Sequence, residues 1–130
     1  MANEAVLVYE LEPPVPFTCP EGTGIEKGTL CVLSDPMTVA GASEDNSVVI
    51  GITAEEKIAG DGRTKIGVYL RGIFKMTVDA GDVATVGVEA VSRGTNTVGV
   101  FDTLDRENGK VIGRFLETGV AGETVMVLVG

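Results

Sequence analysis

Side chains that could perform chemistry are few and poorly grouped in this chain of 130 residues. It contains no histidine, which removes the commonest general base, the commonest metal ligand and every nucleophile that depends on an imidazole. Paired-carboxylate chemistry would need Glu55 and Glu56, but adjacent residues of a strand point to opposite faces and cannot share a substrate. We therefore predict no catalytic residue and interpret Glu55-Glu56-Lys57 as a solvated turn. A hydrolase that uses Glu55 or Asp61 is the least favoured alternative.

Metal and cofactor sites are not predicted either. Four side chains with oxygen atoms that could bind a metal lie close together in the sequence of the second half: Asp102, Asp105, Glu107 and Asn108. Their spacing is not that of an EF-hand calcium loop. Cys19 and Cys31 lie in no metal-binding or redox motif, so we expect two free thiols in a reducing compartment, without excluding that they pair.

Composition and charge favour a small all-β protein. Hydrophobic residues make up 44% of the chain, and 18 glycines suit many short strands joined by tight turns. The net charge of −9 repels phosphate backbones and anionic lipids, so nucleic acid and membranes are not expected partners. The amino terminus has no signal-peptide pattern, and the longest apolar run is far shorter than the roughly 20 residues of a membrane helix. We expect a soluble protein made in a cytoplasm.

The strand pattern of residues 48–78 is repeated near the end of the chain. Three segments recur in the same order with an offset of about 60 residues. These pairs are residues 28–32 with 87–91, residues 49–55 with 111–117, and residues 62–68 with 122–128. The pattern predicts a single β domain over residues 21–130 with pseudo-repeats at about 24–78 and 83–130. Because each repeat is too small to bury its own apolar face, we expect the two to close into a small β-barrel or sandwich.

Residues 1–20 differ from the rest and are predicted to form an extended N-terminal arm. A strand-like run over residues 5–11 is followed by Pro13-Pro14-Val15-Pro16, and prolines keep a chain extended without donating to a ladder. Two placements stay open: the arm lies across a neighbouring subunit, or it folds back as an edge of its own body. At most one short helical turn is predicted, over residues 102–110 with Asp102 as a cap.

Four segments of the chain carry a family resemblance. They are Leu11-Glu12-Pro13-Pro14-Val15-Pro16-Phe17, Gly24-Ile25-Glu26-Lys27-Gly28-Thr29-Leu30, Gly51-Ile52-Thr53-Ala54-Glu55-Glu56-Lys57 and Gly72-Ile73-Phe74-Lys75. In this order they resemble the capsid decoration, or cementing, proteins of tailed bacteriophages, and more narrowly a family of short phage head proteins long catalogued as a domain of unknown function. The resemblance covers nearly the whole chain and is weakest over residues 83–110.

This resemblance implies a non-enzymatic β-rich protein on the outer capsid surface of a virion, made in the host cytoplasm. It implies binding to the major capsid protein, commonly as a homotrimer, with the N-terminal segment gripping the shell and no small-molecule substrate. The predicted capsid-contact residues are Val6, Leu7, Val8, Tyr9, Leu11, Pro13, Pro14, Val15, Pro16 and Phe17. The alternative is a non-catalytic carrier or ligand-binding module of the barrel-sandwich type, in which Lys57 or Lys65 would be modified at a hairpin tip.

Overall fold

The computed structural model describes residues 3–42, 47–94, 96–101 and 107–130. These residues form β-strands with essentially no helix, which confirms the all-β prediction. The strands are β1 (Val6–Glu10), β2 (Val15–Thr18), β3 (Leu30–Asp35), β4 (Thr38–Gly41), β5 (Val49–Thr53), β6 (Lys65–Tyr69), β7 (Gly72–Thr77), β8 (Glu89–Arg93), β9 (Thr97–Val100), β10 (Val111–Phe115) and β11 (Thr124–Val129). Of the predicted helical turn, residues 102–106 lie outside the described part, and a turn over residues 108–109 precedes β10.

Five strands of the first half close into a barrel in the order β2-β4-β3-β5-β6. β2 completes the ring because it pairs antiparallel with β6 and meets β4 in parallel at Thr18 and Thr38. Phe17 of β2 points into the barrel, where it is buried with Cys31, Val39 and Ile66. The N-terminal segment is therefore part of this chain's own body, and its second strand is a wall of the barrel.

The remaining strands form one sheet in the order β1-β7-β11-β10-β8-β9. β7 pairs with β11 along its whole length, from Gly72 opposite Val129 to Thr77 opposite Thr124. The sequence pattern groups residues up to 78 with the first repeat, whereas this pairing places β7 in the sheet of the second half. The sheet almost closes as well, since an isolated parallel bridge joins Val78, which follows β7, to Val98 of β9.

The two halves have the same topology, which confirms that the fold is built from two pseudo-repeated halves. In the first half Phe17 of β2 faces Ile66 of β6, and in the second Met76 of β7 faces Val125 of β11, so both partners shift by 59 residues. The strand orders β4-β3-β5-β6-β2 and β9-β8-β10-β11-β7 correspond one to one. Counterparts in the other half can therefore be assigned, with a shift of 59 residues for β2, β3, β4 and β6 and of 62 residues for β5, whose Val49 corresponds to Val111 of β10.

A shared glycine explains the recurring Val-Ile-Gly segment. A Cβ atom built on Gly51 would collide with the carbonyl oxygen of Tyr69, and one built on Gly113 would collide with that of Leu128. In both halves the neighbouring strand crosses too closely for any side chain at this position. Glycine is thus required here because the neighbouring backbone lies too close for a side chain, and not because the position needs a turn conformation.

The halves pack asymmetrically. Leu30 and Ile52 are partners across β3 and β5 and point away from the barrel interior, into the core of the six-stranded sheet beside Phe74. Their counterparts in the second half are Glu89 and Arg114, which are partners across β8 and β10, and of which Glu89 is half-buried and Arg114 is exposed. Because polar side chains replace the apolar pair, a further repeat would find no apolar face to pack on.

One buried polar side chain ties the halves together. Asn96, in the turn between β8 and β9, accepts a hydrogen bond from the Leu30 N–H at 2.7 Å and donates to the carbonyls of Gly28 at 2.9 Å and Asn3 at 2.8 Å. These bonds saturate most of the hydrogen-bonding capacity of the amide, as burial requires. The second half thereby fixes both the start of β3 and the N-terminal segment.

Candidate functional site

The N-terminal strand β1 forms one edge of the six-stranded sheet. Leu7 lies opposite Phe74 and packs against the core, while Val6 lies opposite Lys75 on the outer face. Four apolar side chains of this segment remain exposed: Val6 at 49%, Val8 at 37%, Tyr9 at 61% and Leu11 at 46%. We call these four side chains the β1 strip. Exposed apolar groups that neighbour one another in this way are typical of an interaction surface.

Backbone and side-chain bonds hold β1 on the body. The Ala5 N–H donates to the Gly28 carbonyl at 3.0 Å, and Glu12 lies 3.5 Å from the guanidinium of Arg71. Burial raises the pKa of Tyr69, and the Glu10 carboxylate beside the Tyr69 hydroxyl group raises this pKa further. The β1 strip is therefore presented on an ordered strand, which lowers the conformational entropy lost on binding.

The residues predicted to contact a capsid are in three different environments. The exposed members are Val6, Val8, Tyr9, Leu11, Pro13, Pro14 and Pro16, and the half-buried members are Leu7 and Val15. Phe17 is 3% exposed in the barrel core, so it could contact a partner only if the barrel opened. Of the two placements left open for the segment, the structure shows the one on its own body. A role in capsid contact stays a prediction for the exposed members.

The segment interpreted as a solvated turn contains a buried cation, and that interpretation is wrong for Lys57. The Lys57 side chain is 0% exposed, and its ammonium group donates to the carbonyls of Glu21 and Ile58, both at 2.7 Å. It also pairs with Asp61 at 2.8 Å. This bond, with two from backbone N–H groups, lowers the pKa of Asp61 to about 2. All three ammonium hydrogens thus have acceptors, which a lysine needs in order to be buried.

The nearby carboxylates also bind parts of the fold. Glu55 accepts the Gly67 N–H at 2.9 Å and pairs with Arg63 at 2.8 Å. Its counterpart Glu117 accepts the Met126 N–H at 2.8 Å, so this bond is repeated in both halves. Glu55 and Lys57 are thereby engaged in structural bonds, and burial makes Lys57 a poor acceptor for the covalent group of a carrier protein. Lys65, the other lysine considered for that role, is exposed.

Both thiols are free and buried. Burial raises the pKa of Cys19 and raises that of Cys31 to about 12, and the Cys31 thiol donates to the Gly51 carbonyl at 3.3 Å. In the described ranges there is no cluster of three or more metal-ligating side chains, and no helix there is long and apolar enough to cross a membrane. Asp102 and Asp105, weighed as calcium ligands, lie outside the described residues.

Comparison with known proteins gives a likeness of fold. No protein-family model matches the chain, and no curated protein is significantly similar to it in sequence. The chain is similar in structure to the N-terminal base of the head fiber protein gp8.5 of bacteriophage phi29, with a TM-score of 0.59 and 18% sequence identity. The match covers 89% of this chain and 93% of the phi29 base. This chain and the phi29 base share a fold over most of their lengths.

Proposed function

We propose that this chain is a structural protein of a bacteriophage head, which binds the outer capsid surface and stabilises the shell by contacting the major capsid protein. The observation that carries the proposal is the likeness to the base of a phage head fiber across 89% of one chain and 93% of the other. The resemblance of residues 11–17, 24–30, 51–57 and 72–75 to capsid decoration proteins points to the same setting independently of the fold.

The β1 strip is the part of the molecule that we assign to shell contact. Full burial of a large apolar side chain contributes about 1.5–3 kcal/mol, and these four are already about half buried. Their complete burial would therefore contribute about 3–6 kcal/mol for each chain. The loss of translational and rotational freedom on association costs at least about as much free energy as this burial contributes. One copy would therefore bind weakly.

Association into a homotrimer compensates for the weak binding of a single copy. Three β1 strips on one particle would engage the shell at high effective concentration, so the trimer stays bound where a single chain would exchange. The net charge of −9 is consistent with this role, because it keeps the protein off the packaged genome. Analytical ultracentrifugation tests the trimer directly.

Co-sedimentation with heads prepared without this protein tests the function. Deleting residues 2–17 would remove Phe17 from the core, so point substitutions at exposed positions are the sharper probe. The double variant Val6→Ser/Tyr9→Ser should bind heads at least about tenfold more weakly, since most of the apolar contact is lost. A matched control is Val86→Ser/Val120→Ser, which changes two apolar side chains exposed at 58% and 56% in second-half loops.

The outcomes distinguish a failure of the proposed head role from a failure of the proposed contact surface on β1. A wild-type chain that binds no head, expanded or unexpanded, and leaves the heat resistance of heads unchanged would overturn the head role. Undiminished binding by the Val6/Tyr9 variant, with loss of binding by the control, would keep the role but move the contact away from β1.

A further inference from the structure

The outer edge of β9 is capped by groups of its own chain. The Asp79 N–H donates to the Val98 carbonyl at 2.9 Å, the Asp82 carboxylate accepts the Val100 N–H at 3.4 Å, and the Arg93 guanidinium donates to the Val100 carbonyl at 2.9 Å. Together these bonds satisfy the backbone groups that an added strand would use. Asp82 and Arg93 also pair with each other at 3.3 Å and fill the space beside the strand.

The first half lacks these caps. The turn bond from the Asp82 N–H to the Asp79 carbonyl is repeated by Thr23 and Pro20, which identifies the counterparts. Proline has no N–H to donate, and threonine has no carboxylate. The shift of 59 residues makes Ser34 the counterpart of Arg93, and serine is too short to reach the strand beside it. Asp35, which lies opposite Thr38 as Arg93 lies opposite Thr97, has a carboxylate that cannot donate to a carbonyl. Each of the three capping groups has thus been replaced by a residue that cannot perform its role.

An apolar groove lies where the caps would be. It has a volume of about 320 Å³ and is lined by residues that include Pro20, Thr23, Ile25 and Gly41. The Ala42 N–H donates to the Leu30 carbonyl on β3, so the N–H and carbonyl of Gly41 point the other way, into the groove. Within the described residues, no capping bond like those on β9 reaches the β4 edge here.

The corresponding edges elsewhere in the molecule are protected. The Thr18 N–H donates toward β4, so the N–H groups two and four residues earlier would point to the same side. Those positions are Pro16 in β2 and Pro14 just before it, and proline has no N–H group. The equivalent edge of β7 is covered by β1, in which Val6 and Tyr9 pair with that strand. The uncapped edge beside the apolar groove therefore differs from the edges of β2, β7 and β9, which are protected by prolines, by β1 and by capping side chains respectively.

We propose that this groove binds an extended segment of a partner polypeptide, which pairs with the Gly41 end of β4, beyond the point where β2 meets that strand at Thr38. The Gly41 N–H and carbonyl would pair with the backbone of that segment, and main-chain bonds of this kind give affinity with little demand on sequence. Gly24, Ala40 and Gly41 leave room for a close backbone approach and for small apolar side chains. Glu26 is the charged lining residue, so together with the net charge of −9 it favours a segment that carries a lysine or arginine.

The proposal goes beyond the head role and is tested without heads. The probes are acetylated and amidated hexapeptides that alternate threonine with valine or alanine and carry one lysine. Binding is followed by the amide NMR signals of the whole chain. We expect saturable shifts at Ala40 and Gly41, and hydrogen exchange of the Gly41 amide slowed at least about tenfold. The amide of Val100, which Asp82 already caps, should not change. Shifts absent from Gly41 at millimolar peptide would overturn the proposal.

Transplanting the caps provides the decisive variant. Thr23→Asp/Ser34→Arg gives the first half the pair that covers the edge in the second half, so peptide binding should weaken at least about tenfold while circular dichroism stays that of the wild type. The matched control Thr23→Ser/Ser34→Thr leaves the groove open and should bind as the wild type does. Unchanged binding by the transplant would refute the site. A transplant that instead changes the oligomeric state in sedimentation would show that the occupant is a second copy, which also contradicts the proposal.

Discussion

Replacing Lys57 with methionine removes the donor at the centre of the β5–β6 loop. Methionine fills a similar volume, so the change isolates the loss of charge and hydrogen bonds from the loss of packing. The carbonyls of Glu21 and Ile58 lose a donor that lies 2.7 Å away, and each loss of this kind costs about 1–3 kcal/mol in a buried setting. Asp61 keeps its contact with solvent at 23% side-chain exposure and relaxes toward water. We therefore expect the Lys57→Met variant to lose about 2–4 kcal/mol of unfolding free energy.

Urea unfolding followed by far-ultraviolet circular dichroism measures this loss at pH 7. The matched control is Lys65→Met, which removes an exposed ammonium group from a strand and should change stability by no more than about 0.5 kcal/mol. Equal midpoints for the two variants would refute the reasoning, since the buried ammonium would then contribute nothing to the fold.

The same pair predicts an acid dependence with a defined sign. Because the pKa of Asp61 falls from 3.8 to about 2 on folding, the ionised carboxylate stabilises the folded state above pH 4. This contribution disappears as the pH falls through the folded value toward 2. The stability difference between the wild type and Asp61→Asn should accordingly be largest above pH 4 and shrink toward pH 2. A difference that stays constant across this range would contradict the assigned pair.

Three further substitutions or reagents test the fold. Gly113→Ala should cost about 2–3 kcal/mol in urea unfolding because its Cβ would enter a neighbouring carbonyl, whereas Gly22→Ala, with open space around it, should cost well under about 1 kcal/mol. Asn96→Ala should cost about 2–3 kcal/mol more than Met37→Ala, since both residues have positive φ but only the asparagine joins the halves. Cys31, whose pKa burial raises to about 12, should not react with Ellman's reagent at pH 8 until urea unfolds the chain, and rapid reaction of the native protein would contradict its burial.

Local sequence patterns were sufficient to predict the class of fold and its internal repetition. Alternating apolar residues and glycine turns specify strands and their ends through interactions within a few residues. The Val-Ile-Gly segment recurs because the same close backbone approach recurs in each half, and that constraint is visible as a glycine at Gly51 and Gly113. The proline run indicated an arm or an edge strand, and the sequence did not identify the strand with which it pairs.

The features that the sequence did not predict depend on contacts between segments that are distant in the chain. Whether residues 5–18 cover a neighbour or their own body depends on which edges are free after the halves have folded, and no local pattern records this. Lys57 is buried because Glu21, far away in the sequence, brings a carbonyl to its ammonium group, and without that acceptor a lysine would stay in water. The uncapped edge of β4 is likewise visible only when the two halves are compared in space, because the capping groups come from a different segment of the chain than the strand they protect.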